Sequence, residues 1–211
     1  MEKSTSGKAT SSSHSSGITL VAAPLLLREV VRIMSCIAGD GVLKLESKKV
    51  VTWDQLETMR QRWREDNRVV VFTNGVFDIL HAGHVYYLQQ ARDLGDLLIV
   101  GLNSDASVRR YKGSDRPLQS EEDRAFVLAG LESVDYVTLF EQDTPGELID
   151  RLIPDVLVKG GDYTPDDIVG AKTVRSHGGT VQVIPFVPGR ATSNILDKYV
   201  RSRDRNFSES P

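Results

Sequence analysis

His81 and His84 stand three residues apart in the stretch Phe72-Thr73-Asn74-Gly75-Val76-Phe77-Asp78-Ile79-Leu80-His81-Ala82-Gly83-His84. At the start of a helix, side chains three apart lie on one face. Unpaired backbone N–H groups and the helix dipole favour an anion there. Two imidazoles so placed can donate hydrogen bonds to charge developing on a phosphorus centre. Phosphoryl-type transfer asks little covalent chemistry of a protein, so aligned donors and cations supply most of the catalysis. Thr73, Asn74 and Gly75 fall where backbone amides and small polar groups approach a phosphate, and Gly75 and Gly83 allow close approach because they have no side chain. The competing reading has one histidine capping the helix and the other on the surface. Zinc is disfavoured, since no cysteine or further histidine stands at a ligand spacing.

Cations must come from elsewhere in the chain. Lys112 is read on a glycine-bearing loop after the second apolar run, where a flexible ammonium could close over phosphates or simply be solvated. Arg124 is read as either a phosphate partner or an exposed charge. Lys159 follows the apolar run 156–158 and precedes Gly160-Gly161-Asp162-Tyr163. A lysine at the carboxyl edge of a sheet is better explained by an anionic ligand than by packing. Thr192-Ser193-Asn194 opens the last helix, where hydroxyls and amides can cap the helix, bind phosphates, or do both.

The elements that would position these groups are legible from hydrophobic periodicity. Thr52-x-x-Gln55 is a capping-box pattern, followed by Trp53, Leu56, Met59 and Trp63 at helical spacing, which predicts a helix to about Glu65. Apolar runs at 69–73, 97–102, 134–140, 156–158 and 181–186 predict five buried parallel strands. Helices are predicted over 83–94, 120–131, 144–153 and 166–177. Ser120-x-x-Asp123 marks the start of one, and Thr144-Pro145-x-Glu147, with proline at the first helical position, marks another. Strict alternation predicts an α/β class fold: a Rossmann-like, doubly wound, five-stranded parallel sheet with helices on both faces. Ligands in such sheets bind beyond the carboxyl ends of the strands, which is where the polar motifs fall.

Composition narrows the function classes. A chain of 211 residues, 40% hydrophobic, supports one well-buried domain. Its net charge of −3 argues against a general nucleic-acid binder, which usually carries a basic excess. Cys36 is the only cysteine, so no intramolecular disulfide can form, and a reducing, cytoplasmic setting is expected. The apolar stretch from Ile18 to Leu27 is broken by Pro24 and falls short of the roughly 20 residues that span a bilayer, so no membrane association is expected. Residues 1–17, with seven serines, read as a disordered tail, a targeting segment being the competing reading. A variable lead-in is expected over 18–50, the nucleotide-handling domain over 51–203 and a short tail over 204–211. A dehydrogenase is excluded because no G-x-G-x-x-G follows the first strand.

The stretch ending in His81-Ala82-Gly83-His84 resembles the HxGH signature of the nucleotidylyltransferase superfamily, and the pattern TNGxFDxLHxGH is similar to its cytidylyltransferase-like branch. Further segments resemble the adenylyltransferase domains of bifunctional heptose 7-phosphate kinase/heptose 1-phosphate adenylyltransferases. These are Val100-Gly101-Leu102-Asn103-Ser104-Asp105, Val108-Arg109-Arg110-Tyr111-Lys112-Gly113, Arg116-Pro117-Leu118, the run from Asp155 to Tyr163, and Thr192-Ser193-Asn194-Ile195. The likeness covers about residues 50 to 200.

The resemblance implies that ATP, accompanied by Mg²⁺, reacts with D-glycero-β-D-manno-heptose 1-phosphate to give ADP-heptose and pyrophosphate, with no metal site of the protein's own. It implies that His81, His84 and Lys112 act on the transferring group, and that Thr73 and Asn74 hold phosphate oxygens. Asp78 would orient its loop or help place the metal. Gly75, Phe77, Gly83, Asn103, Asp105, Arg124, Lys159, Gly160, Asp162, Thr192, Ser193 and Asn194 would line the nucleotide site. A separate heptose kinase is the partner expected to supply the acceptor, and a homodimer is the family-based expectation. Ala191 departs from the related motif, which has serine there, and would remove one phosphate hydrogen bond. The rival readings are a cytidylyltransferase acting on a polyol or amino-alcohol phosphate, and a nucleotide-binding module without catalysis.

Overall fold

The computed structural model describes residues 45–208, with side chains through 202. The tail expected over 1–17, positions 18–44 of the expected lead-in, and residues 209–211 lie outside the described residues.

Thr52 closes a full capping box with Gln55 and starts helix α1 (Trp53–Glu65). Then follow β1 (Val70–Gly75), α2 (Ala82–Arg92), β2 (Leu97–Asn103), α3 (Asp105–Lys112), α4 (Glu121–Ala129), β3 (Tyr136–Phe140), α5 (Gly146–Leu152), β4 (Val156–Gly160), α6 (Ala171–Ser176), β5 (Thr180–Ile184) and α7 (Thr192–Ser208). The five strands form one sheet in the order β3-β2-β1-β4-β5, with every pairing parallel. The expected doubly wound fold is therefore present.

Alternation along the strands divides the core into two layers. Val70, Phe72, Leu97 and Ile99 face one side, against Leu56 and Trp63 of α1, Leu148, Ile149 and Leu152 of α5, and Val174 of α6. Val71, Leu98, Val100 and Leu102 face the other, against Leu88 and Ala91 of α2 and Ala125 and Leu128 of α4. Each of the Val, Leu, Ile and Phe side chains among them contributes about 1.5–3 kcal/mol on full burial. Phe72 is packed so closely that a Cβ at Gly101 would lie 2.7 Å from its ring, which explains a glycine inside a buried strand.

Several boundaries differ from the sequence expectation. Helix α3 was read as loop because its apolar spacing is weak; Ser107 and Val108 are its only buried residues, and its start depends on Ser104, whose hydroxyl accepts from the Ser107 N–H. Helix α6 is only six residues long, because Gly170 takes a left-handed conformation (φ 86°) at its N-cap, ending the turns before it. Pro145 is the N-cap of α5 and not its first helical residue. Strand β5 stops at Ile184, before Pro185, which has no N–H to donate to a ladder. Ahead of α1, Val50 bridges to Val137 through hydrogen bonds from Val51 N–H to Val137 O and from Val137 N–H to Lys49 O, so residues 49–51 add a rung beside β3.

The feature that makes room for a ligand lies at the centre. β1 pairs with β2 along its whole length, from Val70↔Leu97 to Gly75↔Leu102. It pairs with β4 only at Val71↔Val156 and Phe72↔Leu157. Beyond Phe72 the two strands part, at the point where strand order reverses and crossovers leave on opposite faces.

Candidate active site

The crevice opened by that parting is floored by the end of β1 and the start of α2. His81 is the N-cap of α2, in extended conformation, and its Nδ1 accepts from the Gly83 N–H at 3.1 Å. With Nδ1 accepting, the neutral ring carries its proton on Nε2, which is left as a donor. The two imidazoles stack, with centroids 3.9 Å apart and planes 22° from parallel, and Phe77 meets His84 edge-on at 5.2 Å. Phe77 is buried yet has a left-handed backbone (φ 47°), a strained conformation for a residue with a side chain. A Cβ at Gly75 would sit 2.9 Å from the Phe77 ring, so Gly75 is needed to let this turn fold under the histidines.

Burial, more than the neighbouring His81, pushes the pKa of His84 down to about 4, against a smaller upward pull from the Ile79 backbone. His84 Nδ1 is buried and meets no partner of hydrogen-bond geometry. His81 is also lowered, by burial first and then by the cation of Arg190. Both rings are therefore neutral donors at pH 7.

Two cavities meet here. The larger, 430 Å³, is bounded by the histidine pair, Gly83, Tyr87 and Gly160, and on its far wall by the β5–α7 loop from Pro185 to Thr192. The smaller, 310 Å³, lies toward α3 and α5, between Tyr111, Tyr163, Asn103, Asp143 and Asp167. Asn74, Gly75 and Lys159 line both. Lys159 lies within β4, not after it as expected, and its Nζ donates to Asn74 Oδ1 at 3.1 Å while standing 5.8 Å from the Tyr163 ring centre.

The other expected site residues divide by position. Thr192 lines the larger cavity, whereas Ser193 and Asn194 are exposed and outside its lining. Asp162 is exposed and lines neither cavity. Thr73 is fully buried, with its hydroxyl 2.6 Å from the Tyr87 hydroxyl, so its side chain is engaged with α2 and not with either cavity. Asn103 is buried; its amide donates to Ser107 Oγ at 3.1 Å, and it borders the smaller cavity.

Three expectations need correction. Lys112 is not on a loop: it is the last residue of α3, exposed, and lines neither cavity. Arg124 is neither an exposed charge nor a cavity cation. At 1% exposure it donates to Asp105 Oδ1 (2.6 Å), the Val76 carbonyl (2.7 Å) and the Gln119 carbonyl (3.1 Å), which engages Asp105 as well. Of the two roles expected for Asp78, the contacts match orienting its loop and not placing a metal. Oδ1 accepts from the Leu118 and Gln119 N–H groups and Oδ2 from Arg116, so it fastens the 116–119 segment to the turn beneath the histidines. Among the described residues there is no group of three or more His, Cys, Asp or Glu side chains able to hold a metal.

Sequence reasoning missed Tyr87, Phe186 and Arg190. Tyr87 follows His84 by three residues, so it shares the histidines' helix face, a signal that periodicity could have provided. Phe186 was absorbed into a predicted strand, though it stands 67% exposed on the cavity wall. Arg190 reaches the site only because the loop folds back across the helix start, bringing its Cβ within 3.0 Å of where a Cβ on Gly83 would stand.

A Rossmann-like sheet with paired histidines at its first strand–helix junction, open at the switch point, defines a class of nucleotide-handling α/β protein. The chain belongs to the cytidylyltransferase-like family, whose model matches residues 72–201. It is 54% identical over 170 residues to the bifunctional protein HldE of Trichlorobacter lovleyi, covering 81% of this chain and 34% of the relative. It is 59% identical over 145 residues to the protein of the same name from Syntrophotalea carbinolica, covering 69% of this chain and 29% of that one. The chain thus spans about a third of the length of these curated relatives. The crystal structure of a lipopolysaccharide core biosynthesis protein from Thermoplasma volcanium is similar with a TM-score of 0.48 and 28% identity, over 57% of this chain and 97% of that chain. No helix among the described residues is long and apolar enough to cross a membrane.

Proposed function

We propose that this chain transfers the adenylyl group of ATP to D-glycero-β-D-manno-heptose 1-phosphate, releasing pyrophosphate. The observation that carries the reading is the stacked, neutral pair His81 and His84 at the N-terminus of α2, facing a 430 Å³ cavity that adjoins a second one. Donor and acceptor need two adjoining chambers, because the acceptor phosphate must approach the α-phosphorus opposite the departing pyrophosphate. The larger chamber suits the nucleotide. The helix N-terminus and imidazole donors meet the polyphosphate there, and Phe186 offers an exposed ring on which a base can stack.

The smaller chamber suits a polyhydroxylated acceptor: Asp143 and Asp167 can accept from hydroxyls, and Tyr111 and Tyr163 supply flat apolar faces. An oxygen of the acceptor phosphate attacks the α-phosphorus, and the bond to the pyrophosphate bridging oxygen breaks. The electron pair leaves with pyrophosphate, and an already ionised acceptor needs no base. Mg²⁺ enters bound to the nucleotide, as part of the substrate, and Asp78, which lines neither chamber and is held by Arg116 and two backbone N–H groups, is not placed to meet it. The anomeric phosphate would come from a separate sugar kinase, and a cytoplasmic setting agrees with nucleotide supply.

Pyrophosphate release measured with ATP or CTP against heptose 1-phosphate or glycerol 3-phosphate tests the reading. ATP with heptose 1-phosphate should dominate, and His84→Ala should abolish most of the signal. A preference for CTP and glycerol 3-phosphate would transfer the chain to the rival cytidylyltransferase reading, while nucleotide binding without turnover would support the inactive module.

A further inference from the structure

Lys159 is mostly buried, and burial lowers its pKa from the ordinary lysine value. A buried ammonium is normally neutralised by a carboxylate, since desolvating a charge without compensation is costly. Among the described residues Lys159 has no such partner. Its contacts are the side-chain and backbone oxygens of Asn74, at 3.1 and 3.5 Å, and the face of Tyr163. Two neutral oxygens and a ring orient the ammonium without cancelling its charge.

Its location says what would cancel it. Among the described residues three line both chambers, Asn74, Gly75 and Lys159, and of these Lys159 alone is a cation. It stands one residue from the end of β4, facing β1 across the gap where these strands have stopped pairing. Lys112, Arg109 and Arg110 line neither chamber, and Arg124 is consumed by Asp105 and two carbonyls. Arg190 borders only the larger chamber.

A group passing from one substrate to the other must cross the partition. Resting on the adenylyl-transfer reading above, we propose that Lys159 is a catalytic residue whose ammonium contacts the non-bridging oxygens of the α-phosphoryl group as it moves between the chambers. Asn74 holds the ammonium at the partition while the site is empty. During transfer the three equatorial oxygens of the phosphorus centre carry the spread charge, and a partly desolvated cation already in place stabilises that charge with little reorganisation. The histidines, which also line the larger chamber, are left to meet the departing pyrophosphate.

The test uses the full chain, with pyrophosphate release and ATP affinity measured separately for Lys159→Met and Lys159→Cys. Loss of the contact should lower kcat by about 100-fold or more while ATP affinity falls far less. Aminoethylation of Lys159→Cys with bromoethylamine rebuilds a lysine-like side chain and should restore most of the rate. Wild type treated alike controls for Cys36. A second readout uses the two diastereomers of ATP carrying sulfur at the α-phosphorus. Wild type should discriminate between them, and the discrimination should narrow in Lys159→Met, an effect that loss of packing alone would not produce. If Lys159→Met does not fold, Lys159→Cys before and after aminoethylation decides the point. Active wild type with both variants within about threefold of it in rate, far inside the loss expected for a transition-state donor, would overturn this role while leaving the adenylyl-transfer reading intact. Wild type inert with every nucleotide and acceptor would overturn both.

Discussion

At the scale of single residues, two neutral imidazoles and one mostly buried ammonium line the same cavity. His84 illustrates the cost. Its folded pKa near 4 lies below the ordinary value of 6.5, so its contribution to stability is complete above pH 6.5 and is lost as pH falls through the interval to about 4. Urea denaturation at a series of pH values should show wild type losing stability across that window, and His84→Asn should remove part of the slope. The partial exposure of the ring keeps the effect to roughly 1–2 kcal/mol. Function should respond in the opposite direction: His84→Ala relieves the buried imidazole but deletes a donor, costing about 100-fold to 1,000-fold in kcat. Steady-state pyrophosphate release with the proposed substrates measures that loss.

At the scale of elements, the crevice depends on side chains that hold neighbouring segments at fixed separations. Tyr87 of α2 bonds Thr73 at the end of β1 and meets the backbone of Gly160 at the end of β4, bracing the two strands where they diverge. Tyr87→Phe leaves the buried Thr73 hydroxyl without its partner. It should lower unfolding free energy by about 1–3 kcal/mol in chemical denaturation, and it should weaken kcat more than substrate affinity if the strand ends drift. On the other side of β1, Arg124 joins α4, through Asp105 and two carbonyls, to α3 and the turn before the histidines. Arg124→Met removes the buried partner of Asp105, which keeps its longer ion pair with Arg109 at 3.9 Å, and leaves the Val76 and Gln119 carbonyls without that donor; it should cost about 1–3 kcal/mol, read from the shift of the denaturation midpoint. Gly161 lies against Phe186 of the far wall without itself lining the cavity. Its φ of 122° and a Cβ position 2.8 Å from Phe186 mean that Gly161→Ala should displace that ring and reduce nucleotide affinity in calorimetry.

At the scale of the whole molecule, nucleotide binding should couple to folding, because the larger cavity is walled by β1, α2, β4 and the β5–α7 loop together. ATP at 100 times its Kd should stabilise the fold by about 2.7 kcal/mol. A thermal melt with and without Mg-ATP checks this, and the shift should shrink in His84→Ala. Much of the architecture was legible beforehand. Strand and helix periodicities differ, so a chain alternating between them declares a parallel doubly wound sheet. The paired histidines fall at a strand–helix junction because the motif is contiguous. The errors came where local signals are weak, as in α3, whose apolar stripe is too thin to read, or where a single left-handed glycine shortened α6. The sequence by itself determined the fold class, the end of the sheet where the polar motifs fall and the His81/His84 pair, because these follow from local periodicity and contiguous motifs, whereas the crevice between β1 and β4 joins segments far apart in the chain. Only the tertiary structure decided which cations face the crevice. It turned Lys159 onto Asn74, 85 positions away, locked Arg124 onto Asp105, and left Lys112 in solvent. The physical reason is that a charge's role depends on the distance to its partners and on its burial, and neither is set by spacing along the chain.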